Sequence, residues 1–138
     1  MDINVLELGR AIKQLQNLNH RRLEIGLREV DSTLAQWDAL RAIDANPGVS
    51  AHALAEETFQ TDQSFGTLAT RLIAKELVER QQGMGRALIY SLTPKGQHVL
   101  EQGLVVAEQV IDDSFKNLSD SEQAQFLALT RKALLNNT

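Results

Sequence analysis

Between Gln60 and Leu92, apolar residues recur at Phe65, Leu68, Ala69, Leu72, Ile73 and Leu77, the spacing that gives a helix one buried face. Thr61 stands just ahead of this run with a hydroxyl that can accept a backbone N–H. Asp62 follows in the first turn, where negative charge is favourable. The opposite face carries Gln63, Ser64, Thr67, Thr70, Arg71 and Lys75, all hydrogen-bond formers that add few large apolar groups. Leu77-Val78-Glu79-Arg80 lies near the end of this predicted helix, Gln81-Gln82 follows, and Gly83-Met84-Gly85 supplies a turn. Arg86 to Leu92 then forms an extended run with Leu88, Tyr90 and Leu92 on one face.

The flanking segments are helical by the same criterion. From Asp2 to about Arg28 there is no proline, and Leu8, Ile12, Leu15 and Leu18 keep a helical spacing, which predicts a long first helix. Its middle, Asn19-His20-Arg21-Arg22, is too polar for a simple core face, so this helix either reaches a partner or crosses a boundary between two parts. The arginine pair suits a solvated face or the lining of a groove near a subunit interface. Thr33 with Gln36 three residues on predicts a capping box for a second helix, buried through Leu34, Trp37, Leu40, Ala42 and Ile43 and stopped by Asn46-Pro47-Gly48. Ser50 caps a short third helix packed through Ala53-Leu54-Ala55, and Thr58-Phe59-Gln60 joins it tightly to the Thr61 helix, as in a helix-turn-helix.

Thr93-Pro94 opens a further long helix whose apolar positions run from Val99 to Phe115. Ser119-Asp120-Ser121-Glu122 is a second capping box, and the last helix uses Phe126, Leu129, Ala133 and Leu134. The predicted fold is mainly α: a winged helix-turn-helix with a small β-hairpin wing and long N- and C-terminal helices. Those terminal helices hold more apolar surface than one small domain can cover, and a second copy of the chain is the natural cover.

Length and composition agree with one chain of ordinary domain size, 138 residues with 43% hydrophobic content. No apolar run approaches the about 20 residues a membrane helix needs, and no secretory signal opens the chain, so a cytoplasmic protein with no membrane partner is expected. The absence of cysteine removes disulfides, thiolate metal sites and thiol-based sensing. A net charge of −4 works against nucleic-acid binding, which rests on phosphate neutralisation. The charge is uneven, however. From Ser50 to Gly96, Arg71, Lys75, Arg80, Arg86 and Lys95 balance Glu56, Glu57, Asp62, Glu76 and Glu79, and the acidity lies elsewhere.

The order of elements resembles the MarR family of bacterial regulators over nearly the whole chain. The matching stretches are Leu34-Ala35-Gln36-Trp37-Asp38-Ala39-Leu40-Arg41, Leu54-Ala55-Glu56-Glu57, Arg71-Leu72, Leu77-Val78-Glu79-Arg80, Arg86 in the wing, and Leu92-Thr93-Pro94-Lys95-Gly96. The resemblance implies a homodimer held by the terminal helices, with residues 33–96 as the DNA-binding part and 1–30 and 97–138 as the helical dimerisation part. It implies a recognition helix in the major groove of double-stranded DNA and a wing in or beside the minor groove. It also implies control by a small molecule, often a phenolic or aromatic acid. Thr61, Gln63, Ser64, Thr67, Arg71 and Arg86 are then the candidate DNA-binding residues. His20, Trp37 and Arg41 are the candidates for an effector pocket, although Trp37, like Phe65, also reads as core packing. The chain departs from the family at Phe59 and Glu76, where glycine is common, and at Thr67, where many relatives carry a basic residue.

Other chemistry finds little support. His20, His52 and His98 are scattered, which predicts neither a metal site nor a cofactor. There is no glycine-rich phosphate loop, nucleophile motif or paired carboxylate, so an enzyme is not expected. The competing reading is a winged-helix module that binds another protein and not DNA.

Overall fold

The structure, a computed structural model, describes residues 2–83, 85, 88–135 and 137. Each α-helix among them begins at a side-chain oxygen that accepts a backbone N–H of the first turn. The caps are Asn4 for α1 (Val5–Leu27), Thr33 for α2 (Leu34–Ala45), Ser50 for α3 (Ala51–Glu57), Thr61 for α4 (Asp62–Ala74), Thr93 for α5 (Pro94–Ser114) and Ser119 for α6 (Asp120–Leu134). Strands β1 (Val78–Gln82) and β2 (Leu88–Leu92) pair antiparallel between α4 and α5, with Val78 opposite Leu92 and Gln82 opposite Leu88. The capping box at Ser119 and Glu122 is complete. The one expected at Thr33 is half made, because the Gln36 side chain turns away to accept from Lys75 Nζ at 3.1 Å. Glu24 of α1 adds a second acceptor there by bonding the backbone N–H of Leu34.

Three corners share one device. At Asp31, Phe59 and Glu76 the backbone is left-handed, with φ of 54°, 57° and 63°. Each is bracketed by the paired backbone bonds of a Schellman motif. Ser32 N reaches Leu27 O at 3.1 Å, Gln60 N reaches Ala55 O at 2.8 Å, and Leu77 N reaches Leu72 O at 2.9 Å. The third corner shortens the recognition helix relative to its apolar spacing. The helix stops at Ala74, so Val78, Glu79 and Arg80 are the first residues of the wing and not the end of the helix. Leu77 stays in the core from the corner itself.

The core gathers Leu27 of α1, Leu40 of α2, Leu54 of α3, Phe65 and Leu72 of α4, and Val78 of β1. Helix α5 closes it. Its first turn sits on the corner after α4: Thr93 N donates to Leu77 O at 3.0 Å, and the Thr93 hydroxyl donates to Glu76 O at 2.6 Å. Gly96 is required there, because a Cβ on it would lie 2.0 Å from the Leu77 carbonyl oxygen. Farther along, Trp37 donates its indole N–H to Leu100 O at 3.1 Å and lies against Gly103, where a Cβ would meet the ring at 2.3 Å. Arg22 ties α1 to the end of α5 through Ser114 Oγ at 3.2 Å, while Arg21 is exposed.

Helix α6 behaves differently. None of its residues is buried, and Leu129 and Leu134 are 63% and 64% exposed despite their apolar spacing. It touches the rest of the chain through an edge-to-face pair, Phe115 and Phe126 at 5.9 Å, and through Gln123, whose amide donates to Phe115 O and Leu118 O. Two open grooves flank that junction. One of about 530 Å³ is lined by Phe115, Gln123, Phe126 and Leu127 among others, and one of about 410 Å³ by Ala107, Ile111 and Phe115 among others. Among the described residues no helix is long and apolar enough to cross a membrane.

Two glycine substitutions separate packing from propensity. Gly96→Ala is expected to lower stability by about 2 kcal/mol or more, because its Cβ meets backbone that cannot rotate away. Gly66→Ala, inside α4 with nothing within 4 Å of the added Cβ, is expected to raise stability by about 0.5–1 kcal/mol. Urea midpoints of the two variants check both signs.

Candidate nucleic-acid interface

Helix α4 presents one face to the core and one to solvent. Phe65, Leu68, Ala69 and Leu72 are buried; Thr61, Gln63, Ser64, Thr67, Thr70 and Arg71 are exposed. The Thr61 hydroxyl accepts from Ser64 N at 3.1 Å, which leaves its O–H free to donate outward. Thr67 and Thr70 send their O–H groups back to Gln63 O and Gly66 O, at 3.1 and 3.0 Å, so toward a ligand each offers acceptor capacity and a methyl group. Phe65 meets Tyr90 of β2 edge to face, ring centroids 5.9 Å apart at 80°, which fixes the wing strand against the back of α4. Arg80 stands opposite Tyr90 on β1 and is exposed. Arg86 lies outside the described residues.

The basic residues divide into two groups. Lys75, which the sequence pattern placed with the outward donors, turns inward: its ammonium donates to Asp31 O at 3.0 Å and Gln36 Oε1 at 3.1 Å. The Lys95 ammonium donates to Lys75 O at 3.1 Å, at the C-terminal end of α4 where carbonyls lack helical partners. Both ammonium groups therefore engage oxygens around the end of the helix, although Lys95 itself stays exposed. Arg71 and Arg80 make no ion pair among the described residues and are exposed.

The carboxylates nearest the start of α4 have a shared partner. His52 of α3 lies 2.8 Å from Asp62 through Nδ1 and 2.9 Å from Glu56 through Nε2. Both ring nitrogens face acceptors, so only the imidazolium can donate to both. The hydrogen bond that His52 donates to Asp62 is the largest cause raising the His52 pKa above its ordinary 6.5, followed by the charges of Asp62 and Glu56. The carboxylates flank the ring on opposite sides and do not converge on one point. Among the described residues, no group of three His, Cys, Asp or Glu is placed to hold a metal ion.

The three residues expected around an effector are differently employed. His20 is exposed on α1. Trp37 is core, its indole N–H already donated to Leu100 O, so it has no donor to offer a ligand. Arg41 donates to Asp38 at 2.7 Å and lies 3.9 Å from Glu57. None of the three lines either groove beside α6.

A family model described as MarR family matches residues 31–87, from the α1–α2 corner to just before β2. The transcriptional regulator HosA of Escherichia coli is 28% identical over 129 residues, spanning 91% of this chain and 96% of that protein. A mutant of MarR from Escherichia coli, crystallised with operator DNA, superposes with a TM-score of 0.85 at 26% identity, covering 94% of this chain and 95% of that one. In sequence and in fold the chain is similar to proteins of the MarR family. Regulators of the MarR family are not enzymes. The Mycobacterium tuberculosis MarR family protein Rv2887, solved with salicylic acid, shares the fold with a TM-score of 0.77 at 22% identity, covering 96% of this chain and 97% of that one.

Sequence reasoning missed His52 and Arg80 as neighbours of the recognition helix. His52 meets Asp62 only because the Phe59 corner folds α3 back on α4, a contact ten residues apart with no periodic signature. Arg80 was hidden by extending the helix to Leu77; the departure from glycine at Glu76 was the available sign of a corner there.

The His52 clasp gives a pH prediction. Its folded-state pKa is raised, so its contribution to stability is fully present below 6.5 and is lost as pH rises through the higher folded value. Over the same window the cluster loses the positive charge of His52, which weakens attraction for phosphate. DNA affinity should fall as pH rises from about 6 to 8, and His52→Gln should flatten that dependence. Fluorescence anisotropy across this range checks it.

Proposed function

We propose that this protein is a transcriptional regulator of the MarR family, a repressor, that acts in the cytoplasm as a homodimer on a pseudo-palindromic operator. The observation that carries the reading is α4: an apolar face sealed into the core and a polar face with Arg71 unpaired among the described residues. Residues 33–96 form its DNA-binding part, with Gln63, Ser64 and Thr67 toward base edges and Thr61, Arg71 and Arg86 toward phosphates. Residues 1–30 and 97–138 form its dimerisation part. The exposed apolar side chains of α1 and α6, with the grooves beside Phe115, support a second copy of the chain as their cover. Release by a small aromatic or phenolic acid belongs to the same reading. Such a ligand cannot use the Trp37 indole N–H.

In a two-fold dimer the recognition helices reach successive major grooves about 34–36 Å apart. Replacing Gln63 or Thr67 by Ala should change which base pairs are preferred, with losses of about 1–3 kcal/mol confined to particular positions. Replacing Arg86 by Ala should weaken good and poor operators by similar factors and lower the salt slope by about one per wing. Binding titrations against a set of operator variants, at several salt concentrations, separate the two behaviours. An unchanged salt slope would remove Arg86 from the interface, and a folded monomer at micromolar concentration in sedimentation would remove the dimer. Titration of salicylate-like acids into the protein–DNA complex tests the effector arm, with loss of affinity as the expected result.

A further inference from the structure

Phe59 occupies a position that folding alone does not explain. It is 95% exposed, the highest value among the exposed large hydrophobic residues described. Its ring therefore gains almost nothing from burial in the free chain. Its backbone is left-handed at φ 57°, a conformation that is costly for a residue with a Cβ. The corner does not need the ring. Phe59 N bonds Glu56 O at 3.1 Å and Gln60 N bonds Ala55 O at 2.8 Å, and glycine or asparagine would make the same two bonds. An outlier with a cost and no local return points to a use elsewhere.

Its surroundings indicate which use. Phe59 lies two residues before Thr61, the cap of α4, so the ring projects from the turn that leads into the N-terminal end of the recognition helix. In helix-turn-helix docking that end lies nearest the base edges. The exposed residues nearest it in the chain, Glu56, Glu57, Thr61 and Asp62, are all polar, so the ring is an isolated apolar group in this stretch and not part of an apolar run of the kind a protein partner covers. Duplex DNA offers complementary isolated apolar groups at the edge of the major groove, above all the thymine C5-methyl, with the deoxyribose carbons next to it.

We infer that Phe59 is a further DNA-contacting residue of this chain, packing its ring on an apolar group of the duplex at the groove edge. The inference rests on the DNA-binding reading of α4 and adds to it an apolar contact. The wild-type protein, Phe59→Gly, Phe59→Asn and Phe59→Leu are compared for thermal stability and for binding to the same high-affinity duplex. A parallel set of duplexes carries deoxyuridine in place of each thymine in turn, which removes the methyl and keeps the pairing. Phe59→Gly and Phe59→Asn should melt at or above the wild-type temperature yet bind about tenfold more weakly, while Phe59→Leu keeps most of the affinity. If the contact is a thymine methyl, one deoxyuridine substitution weakens the wild type and leaves Phe59→Gly unaffected. If it is deoxyribose, no deoxyuridine substitution matters and the loss in Phe59→Gly remains. Wild-type affinity in both Phe59→Gly and Phe59→Asn overturns the inference and leaves a protein partner as the reason for the ring. Absence of specific binding by the wild type itself would instead overturn the DNA reading, and this contact with it.

Discussion

The corner from Lys75 to Leu77 is the constraint on which the rest of the structure depends. It ends the recognition helix, starts the wing, and receives the first turn of α5 through Thr93 and Gly96. Lys75 ties the same corner to Asp31 and Gln36 at the α1–α2 junction. Four elements thus meet within a few residues through hydrogen bonds and one close backbone approach, with little side-chain freedom between them. Protein packing of this kind transmits displacement instead of absorbing it.

Electrostatics follow from where the cations are used. The chain is acidic, and two of the basic residues around α4, Lys75 and Lys95, are committed to holding it in place. The described cations left for phosphates near α4 are Arg71 and Arg80. The two carboxylates closest to the start of the helix are offset by His52. On the proposed reading, such a surface offers DNA a modest number of phosphate contacts. Specificity must then lean on base edges, on the paired geometry of two subunits and on apolar contact.

Much of this was legible in the sequence because it is local. The Ser50, Thr61, Thr93 and Ser119 caps are written in single residues and their neighbours, and each is present. The core faces of α2 and α4 follow from periodicity. What escaped is non-local. Nothing near Lys75 in the sequence indicates that its ammonium turns back to Asp31, and nothing near Trp37 indicates that its indole N–H is taken by Leu100 O. The end of α4 was obscured because Leu77 fits the helical spacing and yet enters the core from a corner. The departures from glycine at Phe59 and Glu76 fall at positions that are in fact left-handed. The effector residues rest mainly on resemblance, helped by the stacking and donor groups they carry, and side-chain packing around Trp37 places that ring in the core.

The most direct test of the account is selection of duplexes from a random pool by the purified full-length protein at physiological salt. The account predicts enrichment of one motif made of two inverted half-sites, their centres about one helical turn apart, as two α4 helices related by a two-fold axis require. Recovery of a pool with no enriched motif, bound no better than nonspecific DNA, would contradict it.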